Sequence, residues 1–316
     1  MTYLPRDFIE TAEGLVFAVV DAGLEAGRVL CFLRYAPIDG QLRKLGTDAA
    51  NAYLKAQAPG YLFHSARLDA ALHGVPVEHI RRHHRPRARA ASLLAAEPQD
   101  AMEAKLVRLL GIFAARGLEL DRFGVTGSLL LGVQTAASDL DVVVYGREAF
   151  FHAREAVRSA CGAGALAGLD EADWQEAYGR RGCALDFADY CWHERRKYNK
   201  GLVDGSKFDI TLIGEGLPLE PGPVRKRGAA RVQAEVIDAQ YAYDCPALYR
   251  LRHPELTEAL SFTQTYAGQA EIGETVEIAG LLEETAQGRL RIVVGGSREA
   301  PGQYIKVLRG AKARSA

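Results

Sequence analysis

Two aspartates separated by one residue, Asp139 and Asp141, follow the pair Gly127-Ser128 after a gap of ten residues. Three valines come directly after Asp141, so we expect the aspartates to open a buried strand. Side chains alternate between the faces of a strand, so Asp139 and Asp141 point the same way. Neighbouring carboxylates repel each other unless a cation lies between them, and their oxygens suit Mg²⁺. The spacing therefore predicts a carboxylate pair that binds a cation.

The Gly-Ser pair ends a predicted strand and begins a short predicted helix, in the segment FGVTGSLLLG. Gly127 allows the backbone to approach a ligand closely. The start of a helix presents free N–H groups to a phosphate, and the Ser128 hydroxyl is a further donor. A phosphate-binding turn beside metal-binding carboxylates is what metal-assisted phosphoryl transfer requires. The alternative is a surface Asp-x-Asp without function, which the Gly-Ser pair and the apolar flanks disfavour.

This pattern resembles the signature of the DNA polymerase beta-type nucleotidyltransferase superfamily, on the residues Gly127, Ser128, Asp139, Leu140, Asp141 and Val142. The resemblance covers residues 121–213. Thr126 departs from the pattern, which has an apolar residue before the glycine. The arrangement of the flanking regions more loosely resembles uncharacterised predicted nucleotidyltransferases of prokaryotes.

The superfamily resemblance implies a third carboxylate on a later strand, which would complete a site for two Mg²⁺ ions. The best candidate is Asp209, the acidic residue within the apolar run KFDITLI. The competitors are Asp186, Asp189 and Asp204. Asp139, Asp141 and Asp209 are thus the expected catalytic residues and metal ligands. As a lone residue, Asp209 could instead be an exposed acid at a strand edge.

A basic segment, HERRKYNKG, precedes the strand of Asp209. Arg196 and Lys197 from this segment, with Gly127 and Ser128, are the expected nucleotide-binding residues, since arginine can clamp a phosphate through two hydrogen bonds. The alternative is a solvated helix face.

Two basic clusters could bind the phosphate backbone of RNA or DNA. Cluster 1 consists of Arg81, Arg82, Arg85, Arg87 and Arg89, and cluster 2 consists of Arg225, Lys226, Arg227 and Arg231. The equally weighted alternative is that each cluster lies in a solvated connecting segment.

The elements that must position these residues predict an α+β fold. We expect residues 1–99 to form an N-terminal strand and helix region. The helical stretch is expected over residues 65–115, so it continues into the next domain. We expect residues 100–217 to form a mixed sheet with helices, including a helix over residues 186–200. The superfamily resemblance implies that this sheet is of the nucleotidyltransferase type. Residues 218–316 form a small β-barrel-like domain, after a Pro- and Gly-rich linker at residues 217–228.

The composition is that of an ordinary globular chain. Of 316 residues, 48% are hydrophobic and 25% are charged, and the formal net charge is −1. Five scattered cysteines without a CxxC pair favour neither a disulfide framework nor a zinc site. We expect no transmembrane segment and no secretory signal, and hence a cytoplasmic protein.

The predicted function is Mg²⁺-dependent transfer of a nucleotidyl group from an NTP to an acceptor hydroxyl, on nucleic acid or another molecule, with release of pyrophosphate. One alternative is a nucleic-acid-binding or regulatory protein that has the same fold but no catalytic activity. Another is a protein AMP-transferase. Because chemistry shared across a superfamily does not define a substrate, the sequence leaves the acceptor and the NTP open.

Overall fold

The computed structural model describes residues 2–219, 222–295 and 300–309, which fold as a mixed α+β protein in two compact units. The first unit consists of Met1–Ser65, Ala70–Gly168 and Asn199–Ile213. The second unit consists of Ala66–Asp69, Leu169–Tyr198 and Gly214–Ala316. The α+β class is therefore confirmed. The boundaries expected at residues 99 and 217 concern independent folding and stay a prediction.

The helices and strands of the described residues are bounded as follows. The helices are α1 Thr47–Gln57, α2 Pro86–Leu94, α3 Ala101–Ala114, α4 Gly127–Leu131, α5 Arg147–Gly162, α6 Glu171–Arg181 and α7 Phe187–Arg195. The strands of the N-terminal sheet are β1 Phe8–Thr11, β2 Val16–Glu25, β3 Arg28–Ile38, β4 Gln41–Lys44, β5 Leu62–Ser65, β6 Ala70–Pro76 and β7 Ile80–His84. Those of the central sheet are β8 Phe123–Val125, β9 Leu140–Tyr145, β10 Lys200–Val203 and β11 Ser206–Ile213. Those of the C-terminal sheet are β12 Arg225–Tyr241, β13 Ala247–Arg252, β14 Leu256–Ser261, β15 Thr275–Glu284, β16 Leu290–Val294 and β17 Tyr304–Val307.

The N-terminal sheet is antiparallel, in the order β5-β6-β3-β2-β1-β7, with β4 paired to β3. Side chains alternate along each strand, so neighbouring residues pack on opposite faces. Phe17 packs in one core cluster with Leu54 of α1, whereas Val16 and Tyr35 pack in another cluster with Leu130 of α4. The sheet therefore lies between α1 on one face and α4, the helix that begins with the Gly-Ser pair, on the other.

The helix expected from residue 65 is wrong up to residue 84, where the structure has β6 and β7. His73 shows why. Its backbone pairs with Cys31 of β3, and its ring accepts a 2.8 Å hydrogen bond at Nδ1 from the backbone N–H of Leu33. These long-range contacts override the local helix propensity of the alanines and leucines around it.

The central sheet has the order β10-β11-β9-β8, with β9 and β11 parallel and the other pairs antiparallel. Helix α3 behaves as its sequence predicts. The Asp100 side chain caps it by accepting hydrogen bonds from the backbone N–H groups of Met102 and Glu103, at 2.8 and 2.9 Å. The expected apolar stripe is buried, and consists of Met102, Leu106, Leu109, Leu110 and Phe113.

In the second unit, the pairings β12–β13, β13–β14, β14–β16, β16–β15 and β15–β12 form a closed ring of five strands. The expected helix over residues 186–200 ends at Arg195, and Lys200 begins β10. The expected linker at 217–228 is also shorter, because β12 begins at Arg225; residues 220 and 221 lie outside the described residues. Among the described helices, none has the length and apolar character needed to cross a membrane.

Candidate active site

Asp141 and Asp209 are direct partners in the parallel pairing of β9 with β11. Neighbouring strands are about 4.8 Å apart, and paired residues project to the same face of a sheet. Asp139 lies two residues before Asp141, at the entrance to β9, and all three aspartates are half-buried. The structure thus places Asp141 and Asp209 side by side on the two inner strands of the central sheet, with Asp139 just before β9.

The pKa of Asp141 reflects this crowding. Burial, and next the negative charge of Asp209, raise it to about 6, with a smaller contribution from Asp139. Arg6 and Lys44, both from the N-terminal region, act in the opposite direction and lower this pKa. Two opposed sets of charges therefore surround the Asp141 carboxylate.

Gly127 lies against this carboxylate. A Cβ at position 127 would overlap Oδ2 of Asp141, and the backbone has a φ of 67°, in the left-handed region. The preceding residue, Thr126, donates a 2.9 Å backbone hydrogen bond to the carbonyl oxygen of Asp141. Glycine is therefore required here for two independent reasons, a steric one and a conformational one.

Ser128 is the second residue of α4 and is half-buried. Helix α4 has only 5 residues, so its dipole is smaller than that of a long helix. A phosphate at this turn would depend mainly on the local N–H groups and the Ser128 hydroxyl.

Arg196 and Lys197 belong to the second unit, where both cations have carboxylate partners. The Arg196 guanidinium donates to both carboxylate oxygens of Glu274, at 2.8 and 2.9 Å. The Lys197 side chain is 1% exposed, and its ammonium donates to Glu194 at 2.5 Å and to the Thr265 carbonyl at 2.7 Å. Their expected role in nucleotide binding stays a prediction, but both cations bind acids or carbonyls within the second unit.

The other candidates for the third carboxylate, Asp186, Asp189 and Asp204, also have partners within the protein. Asp186 caps α7 by accepting a 2.7 Å hydrogen bond from the backbone N–H of Asp189. Asp204 pairs with Arg108 at 3.2 Å. Burial raises the pKa of Asp189, but Lys306 and Arg309 outweigh it and hold this pKa below its usual range. Asp209 therefore remains the best candidate for the third carboxylate.

The basic clusters are partly neutralised by acids. In cluster 1, Arg89 pairs with Glu103 at 2.8 Å, and Arg87 lies 4.1 Å from the centroid of the Tyr145 ring. In cluster 2, which lies on β12, Arg227 pairs with Glu284. Such pairs lower the positive potential that a phosphate backbone would meet.

Sequence reasoning missed Arg6 and Lys44, the two cations whose charges act on Asp141. They are 135 and 97 positions from Asp141 in the chain, so no local spacing could connect them with it. The one available signal is the dipeptide Pro5-Arg6, because proline is common at the second position of a tight turn.

Carboxylate oxygens are hard ligands, and Asp141 and Asp209 are adjacent, so this pair fits a cation such as Mg²⁺. Within residues 2–219, 222–295 and 300–309, however, no group of three or more His, Cys, Asp or Glu side chains is placed to hold a metal ion together. The two-ion site expected from the superfamily resemblance stays a prediction.

The fold and site define a mixed α+β protein with paired carboxylates on adjacent parallel strands. The chain is 32% identical to "Uncharacterized protein MJ1086" of Methanocaldococcus jannaschii, over 96% of its own length and 98% of that protein's. It therefore belongs to the same family as this archaeal protein. No family model matches the chain, and no solved structure matches it.

Proposed function

We propose that the protein is a Mg²⁺-dependent nucleotidyltransferase, which transfers a nucleotidyl group from an NTP to an acceptor hydroxyl and releases pyrophosphate. The observation that carries the proposal is the parallel pairing of Asp141 with Asp209, with Gly127 packed against the Asp141 carboxylate. A cation-binding carboxylate pair beside a glycine turn is suited to a polyphosphate substrate, because the metal and the turn would bind adjacent oxygens.

Each residue has a distinct role in this proposal. Asp139, Asp141 and Asp209 would hold Mg²⁺, which when bound would offset the charge of the polyphosphate and acidify the acceptor hydroxyl. Gly127 and Ser128 would donate hydrogen bonds to the β- and γ-phosphates through the backbone N–H and the hydroxyl. Asp209 would accept the proton of the acceptor hydroxyl. The acceptor oxygen then bonds to the α-phosphorus, while the bond to the bridging oxygen breaks and its electron pair leaves with pyrophosphate.

The test is incubation with each α-³²P-labelled NTP and Mg²⁺, with and without bulk cellular RNA, followed by detection of transferred label and pyrophosphate. The variant Asp141→Asn should lose transfer by at least about a hundredfold, since it loses a charged ligand. Asp204→Asn is the matched control, because Asp204 pairs with a surface arginine. Full activity of Asp141→Asn would contradict the proposal.

The second candidate is a nucleic-acid-binding protein without catalysis. The closed ring of strands favours it, because small barrels such as OB-folds bind oligonucleotides. Against it, arginines of the ring pair with acids, as Arg252 does with Glu235 and Arg291 with Glu283. RNA binding that persists in EDTA, with no response to any NTP, would favour this candidate. Label on protein instead of RNA would identify an AMP-transferase.

A further inference from the structure

The N-terminal chain makes a tight turn over residues 4–7. The backbone N–H of Asp7 donates a 3.0 Å hydrogen bond to the carbonyl of Leu4, which closes the turn around Pro5 and Arg6. Arg6 has a φ of 75°, so the turn is of type II, since Pro5 cannot adopt a positive φ. Glycine or asparagine is the ordinary residue at this position, and a side chain such as arginine is strained there.

Hydrogen bonds to Arg6 itself and to the neighbouring Asp7 hold the turn in place. The N–H of Arg6 donates to the Val19 carbonyl at 3.0 Å, and its own carbonyl accepts from the Thr126 hydroxyl at 2.9 Å. The side chain of Asp7, which is buried, accepts from the Leu4 N–H at 3.0 Å and contacts Nε2 of His83 at 2.7 Å. These contacts hold the turn in place despite its unfavourable residue.

The turn is fixed to the candidate site through one residue. Thr126 binds the carbonyl of Arg6 through its side chain and the carbonyl of Asp141 through its backbone N–H, each at 2.9 Å. The next residue along the chain is Gly127, which packs against the Asp141 carboxylate. Arg6 therefore has a defined position beside the proposed phosphate-binding turn.

The guanidinium of Arg6 is available to a ligand. Arg6 is half-buried, and within the described part of the chain its guanidinium takes part in no ion pair within 4.0 Å. Its charge nevertheless acts on Asp141. Strain at one residue persists where the surrounding structure enforces it, and such residues concentrate at functional sites.

We propose that Arg6 binds the polyphosphate of the nucleotide, as a cation that the turn before β1 contributes to the carboxylate site. The inference rests on the proposed nucleotidyltransferase function and names a substrate-binding residue for it. A planar guanidinium can donate two parallel hydrogen bonds to one phosphate group, which explains an arginine where the backbone favours glycine. Arg6 takes the part that Arg196 and Lys197 are unsuited for, because their cations are bound to Glu274 and Glu194.

The experiment measures equilibrium binding of inorganic tripolyphosphate and of each NTP, in Mg²⁺, by isothermal titration calorimetry. The variants are Arg6→Gly and Arg6→Gln, with Arg122→Gln as a control for loss of a surface charge, since Arg122 pairs with Glu119 at 3.4 Å. Arg6→Gly should weaken both ligands by about 10- to 100-fold, the loss expected for charge-assisted hydrogen bonds. Its urea midpoint should be equal to or above that of the wild type, because glycine relieves the positive φ.

Four outcomes separate the inference from the proposed function. Weaker binding of tripolyphosphate and NTP by equal factors in both Arg6 variants, with Arg122→Gln unchanged, supports the inference. A loss with NTP alone overturns it, since Arg6 would then contact the base or sugar. Wild-type affinity in Arg6→Gly, while Asp141→Asn loses Mg²⁺-dependent binding, overturns the inference and leaves the function standing. A wild type that binds none of these ligands overturns both.

Discussion

Asp209 pairs with Asp141 across two parallel strands, although the two residues are 68 positions apart in the chain. The pairing places two carboxylates side by side on the two inner strands of the central sheet, and burial together with the charge of Asp209 raises the pKa of Asp141 to about 6. Without a bound cation, the folded state therefore holds an ionised Asp141 at a cost, and this cost depends on pH.

Replacing Asp141 with asparagine should stabilise the metal-free protein above pH 6. In the unfolded chain the pKa of an aspartate is about 4. Between pH 4 and 6 the folded state therefore binds more protons than the unfolded state. The contribution of Asp141 to the free energy of unfolding is thus fully present below pH 4, and it is lost as the pH rises through about 6. Asp141→Asn lacks this loss, so its free energy of unfolding relative to wild type should rise by about 1–3 kcal/mol between pH 4 and 8.

Urea denaturation in EDTA across this pH range measures the difference. Asp204→Asn serves as the control for loss of a carboxylate, because Asp204 is an exposed acid paired with Arg108. If the difference in free energy of unfolding between Asp141→Asn and wild type did not change with pH, then the Asp141 carboxylate would not be crowded, in contradiction to the structure.

Gly127→Ala should destabilise the protein more than Gly132→Ala does. Both glycines have a positive φ, 67° and 70°, so both variants incur a conformational cost of about 1 kcal/mol. A Cβ at Gly132 meets nothing within 4 Å, whereas one at Gly127 overlaps the Asp141 carboxylate. We expect an additional loss of about 1–3 kcal/mol for Gly127→Ala, as found for overpacked sites.

Denaturation of both variants measures this additional loss, and the double variant Gly127→Ala/Asp141→Gly tests its cause. Removing the Asp141 side chain should abolish most of the excess. Equal losses in the two single variants would argue against the close approach of Gly127 to Asp141.

Local patterns in the sequence predicted some elements well and others poorly. The apolar stripe of α3 and the strand positions of Asp141 and Asp209 follow from periodicity, and the structure confirms them. The segment around His73 forms a strand, because its pairing partner is distant in the chain. A basic run likewise predicts phosphate contacts without showing that a buried acid neutralises Lys197.

Lys197→Met should destabilise the protein without changing nucleotide binding. The ammonium of Lys197 and the carboxylate of Glu194 are buried together at 2.5 Å, so removing the ammonium takes away a buried cation that stabilises the Glu194 charge. Such a change costs about 3–5 kcal/mol, and Lys197→Met/Glu194→Gln should recover part of it. Thermal unfolding measures stability, and calorimetry with tripolyphosphate measures binding. A stable Lys197→Met protein with weakened binding would instead support the nucleotide-binding role predicted from the sequence.

Thr126→Val should lower both stability and polyphosphate affinity, because Thr126 positions Arg6. The valine keeps the β-branched shape of this buried side chain but removes the 2.9 Å hydrogen bond to the Arg6 carbonyl. Losing this bond costs about 1 kcal/mol and frees the turn that carries the guanidinium.

We expect Thr126→Val to bind tripolyphosphate about threefold to tenfold more weakly than the wild type. Thr126→Ser keeps the hydroxyl, so its affinity should be close to that of the wild type. A purely structural role predicts that Thr126→Val lowers the urea midpoint with unchanged affinity. Combining Thr126→Val with Arg6→Gly separates the two cases. If Thr126 acts through Arg6, then the double variant binds tripolyphosphate as weakly as Arg6→Gly alone, whereas independent effects would multiply.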